Sequence, residues 1–383
     1  MTGDNWMQQE LDALEASGNL RTLKTVEPAG KHLLYQGRKY LNLSSNDYLG
    51  LSETSLQADF ARDILSSIDW IREYLFSNPA SRLMTGNSRH YEELETSLST
   101  LYGGRNALVL SSGFLVNSGL LPALARKGDL ILADKLVHAS VIEGLRLGEA
   151  EWKRYRHNDM DHLETLLRGA KNRTVWVVTE SVFSMDGDIA PLRQLADLKN
   201  KYGFKLYIDE AHAFGAIGPS GAGLAAELGL LGACDILVAT FGKAVSSAGA
   251  FAITDPLTRQ YLVNKMRPLI FSTALPPITL MWSKYIVERL PGLEHLRQHL
   301  RTLRAIIERQ LGIPAPTHII PLPAGSNERA LSMAEQGRQT GYWLTAIRYP
   351  TVPQGTARIR LSLTAALTEQ DIRTFCSTCN NIG

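Results

Sequence analysis

The chain has 383 residues, 44% of them hydrophobic, and 40 lysines and arginines set against 38 aspartates and glutamates leave a formal net charge of +2. A balance this even, with no long run of one sign, gives no footprint for nucleic acid or a membrane surface, and the apolar fraction suffices for a large core spread over two or three domains. Three cysteines, Cys234, Cys376 and Cys379, cannot build a disulfide framework. Cys376-Ser-Thr-Cys379 lacks the second pair that a structural zinc site needs, so it reads as two cysteines on a terminal helix. The opening Met-Thr-Gly-Asp-Asn-Trp does not resemble a secretory leader, which makes a cytoplasmic protein the expectation.

Residues 1–45 read as an N-terminal arm, with a polar helix over 5–18 and a short hairpin around Tyr35 to Leu43. Residues 46–280 read as a large α/β domain. Its longest uncharged stretch, Asn106 to Ala125, is broken by Ser111, Ser112, Gly113, Asn117 and Pro122, which favours a buried strand leading into a buried helix over a membrane span. Further strands are expected at 129–134, 173–180, 204–209, 235–241 and 249–254. They alternate with helical patterns such as Pro191 to Gly203, so a mainly parallel sheet of crossover units follows. Residues 281–383 read as a small α+β domain. A long helix follows Pro276-Pro277; then come a strand at 318–322, a helix at 327–340, strands near 342–347 and 357–364, and a last helix from 368.

Candidate chemistry clusters at strand ends, where open α/β sheets place ligands. Asp209 closes Leu206-Tyr-Ile208, and a lone charge there needs a partner. His212 stands three residues on, and Lys243 lies just past the strand that reaches Phe241. Singly, each has an ordinary reading: a turn aspartate, a structural imidazole, a solvated lysine. Together they supply an amine for a Schiff base and a carboxylate to keep a pyridine nitrogen protonated, the minimum set for pyridoxal phosphate. Ser111-Ser-Gly-Phe114 joins a strand to a helix start, where free N–H groups at Gly113 and Phe114 suit a phosphate, and Thr240 is placed to add a hydroxyl. His138 opens another strand-to-helix crossing and fits either a ring-stacking or a capping role. Arg358 and Arg360 alternate with Ile359 and Leu361, so both arginines share one strand face, open either to a carboxylate or to solvent. No HExxH, GxSxG, Walker loop or clustered metal-ligand spacing occurs, which removes support for hydrolase, nucleotide-binding and metal readings.

These blocks resemble the α-oxoamine synthases among the fold-type-I pyridoxal-phosphate enzymes. The likeness runs over nearly the whole chain: Leu41 to Leu51, Ser112-Gly-Phe114 with Asn117, Asp134 to Ser140, Val182 to Asp188, Asp209 to His212, Thr240 to Lys243 and Thr345 to Ala365. The resemblance implies a seven-stranded large domain, a small C-terminal domain and a homodimer with shared active sites. It makes Lys243 the residue that bonds the cofactor's aldehyde, Asp209 the partner of the pyridine nitrogen, His212 the partner of the phenolic oxygen and His138 the residue stacked on the ring. Ser112, Gly113, Phe114 and Thr240 would hold the phosphate, with Ser272 and Thr273 arriving from a second subunit. Ser184 and Asn46 would lie near the substrate, Arg360 would bind the amino-acid carboxylate and Arg21 a distal carboxylate. The run 345–365 further implies decarboxylative condensation of L-alanine with a pimeloyl thioester. The alternatives are members that use glycine or serine with a short or fatty acyl group, or a non-catalytic partner subunit or regulator. Phe76 to Ala80 and Val245-Ser-Ser247 depart from the family's usual pattern.

Overall fold

The computed structural model describes residues 5–379. Its contacts divide the chain into two compact units, a larger one of Leu51–Ser184 with Asp188–Arg297, and a smaller one that combines the residues up to Gly50 with Met185–Gly187 and the residues from Gln298 on. The smaller unit begins with the helix Asn5–Ala16, followed by strands β1 (Glu27–Ala29), β2 (His32–Tyr35) and β3 (Arg38–Asn42), each antiparallel to the next. The β2–β3 connection is two residues, Gln36 at φ 51° and Gly37 at φ 74°. That pair of left-handed residues makes the hairpin turn whose twist matches the strands it joins.

Seven strands form the sheet of the larger unit: β4 (Asn106–Leu110), β5 (Leu130–Asp134), β6 (Glu151–Tyr155), β7 (Val175–Glu180), β8 (Lys205–Asp209), β9 (Ile236–Thr240) and β10 (Ala250–Thr254). Their order is β4-β10-β9-β8-β7-β5-β6. Only β10 runs against its neighbours; the pairings from β9 through to β6 are parallel, as the alternation of strands and helices implied. Every residue of β5 and of β7 is buried, which is why both read as unbroken apolar runs. The strand β6 was not expected: Glu-Trp-Lys-Arg-Tyr sits at the rim of the sheet with three of its five residues exposed, and no apolar run or clean alternation marks it.

Leu108, Ile131 and Val178 from the strands pack with Leu120, Val141 and Leu145 from the covering helices, each worth roughly 1.5–3 kcal/mol of apolar burial. The helices Gly113–Leu124 and Ala139–Leu147 touch closely because of Gly144: a Cβ there would stand 2.6 Å from the carbonyl oxygen of Asn117. This close approach brings Asn117 beside Ser140, a pairing the site depends on.

The remaining strands belong to the smaller unit: β11 (Ile319–Gly325), β12 (Tyr342–Trp343), β13 (Thr345–Ile347) and β14 (Ala357–Ser362). β11, β14 and β13 form an antiparallel sheet in that order, while β12 pairs in parallel with β3, Tyr342 opposite Leu41 and Trp343 opposite Asn42. Trp343 meets Tyr35 edge to face at 5.2 Å and Tyr40 at 5.8 Å. Within the stretch expected as an N-terminal arm over 1–45, the strands between Glu27 and Asn42 are therefore built into a sheet with the C-terminal segment. The boundary expected at 280 also differs, because it cuts the helix Pro277–Arg289. That helix is fastened inside the larger unit, where Lys284 pairs with Glu93 at 3.2 Å and Ser97 donates to Glu288 at 2.9 Å. Cys376 and Cys379 lie on the last helix, Glu369–Cys379.

Candidate active site

A cavity of about 220 Å³ opens at the carboxyl ends of the central strands of the larger unit, and its wall contains Gly113, Phe114, Asn117, His138, Glu180, Asp209, His212, Thr240 and Lys243. The sequence argument singled out seven of these nine residues. Asn117 entered there as part of a resembling motif, with no role given to it, and Glu180 is an addition.

Lys243 sits in the tight connection between β9 and β10. Ser247 N–H donates to the Phe241 carbonyl at 2.9 Å, Phe241 N–H to Gly249 at 3.0 Å and Ser246 N–H to Lys243 at 2.9 Å. The small residues after the lysine permit this path, with Ser246 itself left-handed at φ 51°. Lys243 Nζ lies 2.8 Å from Nε2 of His212, so an amine and an imidazole share one proton site. The turn that carries His212 is anchored by Glu210. Buried at the foot of the turn, Glu210 accepts from Ser181 Oγ at 2.6 Å, Leu224 N–H at 3.0 Å and Ala225 N–H at 2.7 Å. Burial raises its carboxyl to about 6, against the lowering effect of these bonds.

Asp209 closes β8 and is only 5% exposed. Oδ1 accepts the Ala211 N–H at 2.8 Å and Oδ2 accepts Nδ2 of Asn117 at 2.7 Å. The same Asn117 amide donates to Ser140 Oγ at 3.0 Å, and its oxygen accepts the hydroxyl of Tyr207. Ser140 Oγ in turn lies 2.7 Å from Nδ1 of His138, which also accepts the Ser140 N–H and so caps the helix Ala139–Leu147. One hydrogen-bonded chain thus runs from Asp209 through Asn117 and Ser140 to His138, which serves as helix cap and cavity wall together. Burial lowers the pKa of His138, with Lys243 acting in the same direction and Asp209 against it. The cavity wall at that point is a neutral imidazole.

Glu180 ends β7 directly opposite Asp209 in the strand register. It is 2% exposed, and its Oε1 is buried without a hydrogen-bond partner among the described residues. Burial first, then the neighbouring Asp209, raise its carboxyl well above the usual range, so it stands as a neutral acid. The signal that exposes Asp209 was present here too: a charge terminating the apolar run Val175-Trp-Val-Val-Thr-Glu180.

At the mouth, Ser112 caps the helix Gly113–Leu124 by accepting from Leu115 N–H at 3.3 Å, which leaves the helix start facing the cavity. A Cβ on Gly113 would lie 3.5 Å from Thr240. The hydroxyl of Thr240 donates to the Gly249 carbonyl at 2.9 Å and accepts from Gly242 N–H at 3.2 Å, bracing the Lys243 loop. Ser184 is buried in the larger unit but is not in the cavity wall. Ser272 lines a different cavity, of about 730 Å³, and Thr273 pairs with Ser81 in an isolated bridge.

Within the smaller unit, Arg360 is 7% exposed. Its Nη1 donates to Ser362 Oγ at 2.6 Å and Asn46 Oδ1 at 3.2 Å, and Nη2 to the Tyr48 hydroxyl at 3.3 Å. Burial pushes Tyr48 up to about 12 although Arg360 opposes it, so Tyr48 stays a neutral phenol beside the guanidinium. Arg358 forms an ion pair with Asp186, and Arg21 donates to Thr351 Oγ1 at 3.0 Å near the surface. The two strand arginines share a face, as the alternation required, and that face is not open to water at Arg360.

The donor set suits an anionic, aldehyde-bearing aromatic ring: a buried carboxylate in the depth of the cavity, an amine at its side and a helix start at its mouth. The chain belongs to the aminotransferase class I and II family, whose model matches residues 38–378. Among its relatives, an 8-amino-7-oxononanoate synthase of Chlorobaculum parvum is 46% identical, over 98% of this chain and 97% of that protein. Another of that name, from Haemophilus ducreyi, is also 46% identical, over 96% of this chain and 98% of its own length. Among solved structures, the serine palmitoyltransferase of Sphingomonas wittichii superposes with a TM-score of 0.91 at 26% identity, covering 100% of this chain and 97% of its own. The S. paucimobilis enzyme carrying a PLP-myriocin adduct gives 0.89 at 27%, covering 99% and 98%.

Proposed function

We propose that this protein is an α-oxoamine synthase that condenses L-alanine with a pimeloyl thioester to give 8-amino-7-oxononanoate, carbon dioxide and the free thiol, a step of biotin biosynthesis, with pyridoxal phosphate as cofactor. The observation that carries this reading is the convergence of Asp209, His212 and Lys243 on one cavity, in a chain whose full-length relatives with 46% identity bear the synthase name. The serine palmitoyltransferases share the fold at 26–27% identity, which leaves them as the second reading for the substrates.

Bound pyridoxal phosphate supplies a protonated pyridine that takes up the electron pair released at the amino acid's α-carbon. The residues divide the remaining tasks. Asp209, its oxygens fixed by Asn117 and the Ala211 N–H, would pair with the ring nitrogen and keep it protonated. His138 would stack on the ring, and His212 would bond the phenolic oxygen. Gly113, Phe114, Ser112 and Thr240 would hold the phosphate at the helix start. The amine of Lys243, with His212 at 2.8 Å to relay the charge, takes the α-proton of alanine. The α-carbon then bonds to the acyl carbon as the carbon–sulfur bond breaks. Alanine's carboxylate leaves as carbon dioxide, and a proton returns to the α-carbon. In the smaller unit Arg360, oriented by Asn46 and Tyr48, is the proposed holder of the amino-acid carboxylate. Arg21 is the proposed contact for the distal acid, and Ser184 is proposed to act near the substrate.

We further infer a cytoplasmic homodimer in which Ser272 and Thr273 complete the phosphate site of the partner. Support comes from Phe271 and Leu147, large apolar side chains 69% and 70% exposed in the single chain. Both line the cavity that contains Ser272. The deciding experiment measures thiol release with alanine, glycine and serine against pimeloyl, acetyl, succinyl and palmitoyl thioesters. Alanine with the pimeloyl thioester should exceed every other pair by at least about tenfold, and a preference for serine with the palmitoyl thioester would reverse the assignment. Lys243→Ala should abolish turnover even where the variant still binds the cofactor non-covalently, and turnover retained in the variant would overturn the role of Lys243.

A further inference from the structure

We propose that His157, which lies outside the cavity, is a positioning residue: by bridging Asp134 and Asp188 it fixes both the connection that ends in His138 and the loop that carries Ser184. The relevance of those two side chains rests on the function proposed above; the bridge itself rests on geometry alone. His157 follows β6, with Nδ1 2.9 Å from Asp134 Oδ1 and Nε2 2.6 Å from Asp188 Oδ2. Ionised carboxylates only accept, so both ring nitrogens donate and the ring is an imidazolium. Asn158 doubles the bridge: at φ 52°, its N–H reaches Asp134 Oδ2 at 2.9 Å and its side-chain amide reaches Asp188 Oδ2 at 2.9 Å.

Each carboxylate passes the constraint on. Asp134 is fully buried at the end of β5, and its Oδ1 also accepts the Leu136 N–H at 2.8 Å, setting the first turn of the segment that leads to His138. The Asp188 carbonyl accepts the Phe183 N–H at 3.0 Å, and the Phe183 ring meets His157 edge to face at 4.4 Å. Ser184 is the next residue. A single cation therefore joins three segments that are distant in sequence, and it adds a side-chain tie to the backbone pairing of the 182–189 loop, where Val182 and Ile189 form an antiparallel bridge and Ala190 N–H donates to the Ser181 carbonyl at 3.1 Å.

Burial pulls the imidazole pKa down from its ordinary 6.5, but the bonds to Asp134 and Asp188 outweigh it and raise it to about 9. The other titratable groups on the packed elements do not replace the bridge. Tyr155 of β6 is a phenol held neutral by burial, with Asp134 adding to the effect, and Glu180 of β7 is a neutral acid. On the turn of His157 itself, Arg156 is paired with Asp159 at 2.7 Å, and His162 accepts the Arg156 N–H. Because the folded pKa lies above the ordinary one, the bridge contributes fully below pH 6.5 and is lost as pH rises through about 9.

The test is hydrogen–deuterium exchange on the full-length protein, with and without added pyridoxal phosphate, comparing wild type with His157→Gln. Segments 135–140 and 182–189 should exchange at least about tenfold faster in the variant, with the rest of the larger unit unchanged. In wild type those segments alone should lose protection, beyond the intrinsic base-catalysed increase, between pH 8 and 10. Equal exchange in the two proteins would overturn the proposal. Should His157→Gln fail to fold, the ring ¹⁵N shifts of His157 in wild type decide: a titration near pH 9 supports the bridge and one below 7 refutes it. If neither protein binds pyridoxal phosphate, the reading of the site fails while exchange and titration still judge the bridge.

Discussion

The side-chain amide of Asn117 donates to Oδ2 of Asp209 across 2.7 Å, joining the helix that follows β4 to the end of β8. That bond orients the carboxylate without adding charge, so the acid remains available to a cationic partner. It also explains an asparagine buried to 4% exposure within a mostly apolar helix.

Asn117→Ala should therefore weaken cofactor binding rather than unfold the protein. Leaving a buried acceptor without its donor costs about 1–3 kcal/mol, or roughly five- to hundredfold in affinity. A spectrophotometric titration with pyridoxal phosphate measures this, and wild-type affinity in the variant would show that Asp209 is held by other means.

Glu180 gives a prediction of opposite character. Its carboxyl is held protonated in the fold by burial and by Asp209, whereas in the unfolded chain it ionises near its ordinary 4.5. The unfolded state thus gives up a proton that the folded state keeps, and stability falls as pH rises above that value. Glu180→Gln, neutral at every pH, should fold and should gain stability relative to wild type on going from pH 5 to pH 8. Denaturant midpoints at the two pH values check it; parallel curves would mean that Glu180 is ionised in the folded protein.

For Arg360, the fork of donors to Asn46, Ser362 and Tyr48 is a geometry that an ammonium cannot reproduce. If the guanidinium binds the amino-acid carboxylate as proposed, Arg360→Lys should raise KM for alanine by about 10- to 100-fold, with a smaller change in kcat. Steady-state kinetics with alanine varied at saturating thioester separates the two. A fall confined to kcat would remove Arg360 from substrate binding.

Gly144→Ala sets helix propensity against packing. Alanine favours the helix by about 0.5–1 kcal/mol, but the new Cβ would meet the Asn117 carbonyl at 2.6 Å, and that contact is backbone, not a flexible side-chain tip. Overpacking of this kind costs about 1–3 kcal/mol, so a lower Tm is expected. Because the carbonyl belongs to Asn117, the variant should also bind pyridoxal phosphate less tightly.

Much of this architecture was legible because burial writes itself into sequence. The inner strands β5 and β7 are wholly buried and announce themselves as apolar runs, and Asp209 stands out because it ends such a run. The rim strand β6 escapes the same logic. Lys243 and His212 could be paired from their positions after adjacent strands, but the bond between Asn117 and Asp209 spans 92 residues and leaves no periodic trace. Asn117 reads locally as an interruption in a helix. Glu180 carried the same signal as Asp209 and was overlooked because it lacked a lysine or histidine nearby in sequence. Alternation placed Arg358 and Arg360 on one face, yet could not tell water from Asn46 and Tyr48 as the surroundings of Arg360.

The parallel pairing of β3 with β12 links Leu41 to Tyr342. A ribosome must release nearly all of the polypeptide before that ladder can close, so the first hairpin waits through most of synthesis with one side unzipped. Contacts of such long sequence separation form late and slowly. Maturation of the smaller unit is thereby tied to completion of translation, and truncated products would be left with an open flank for chaperones or proteases to find.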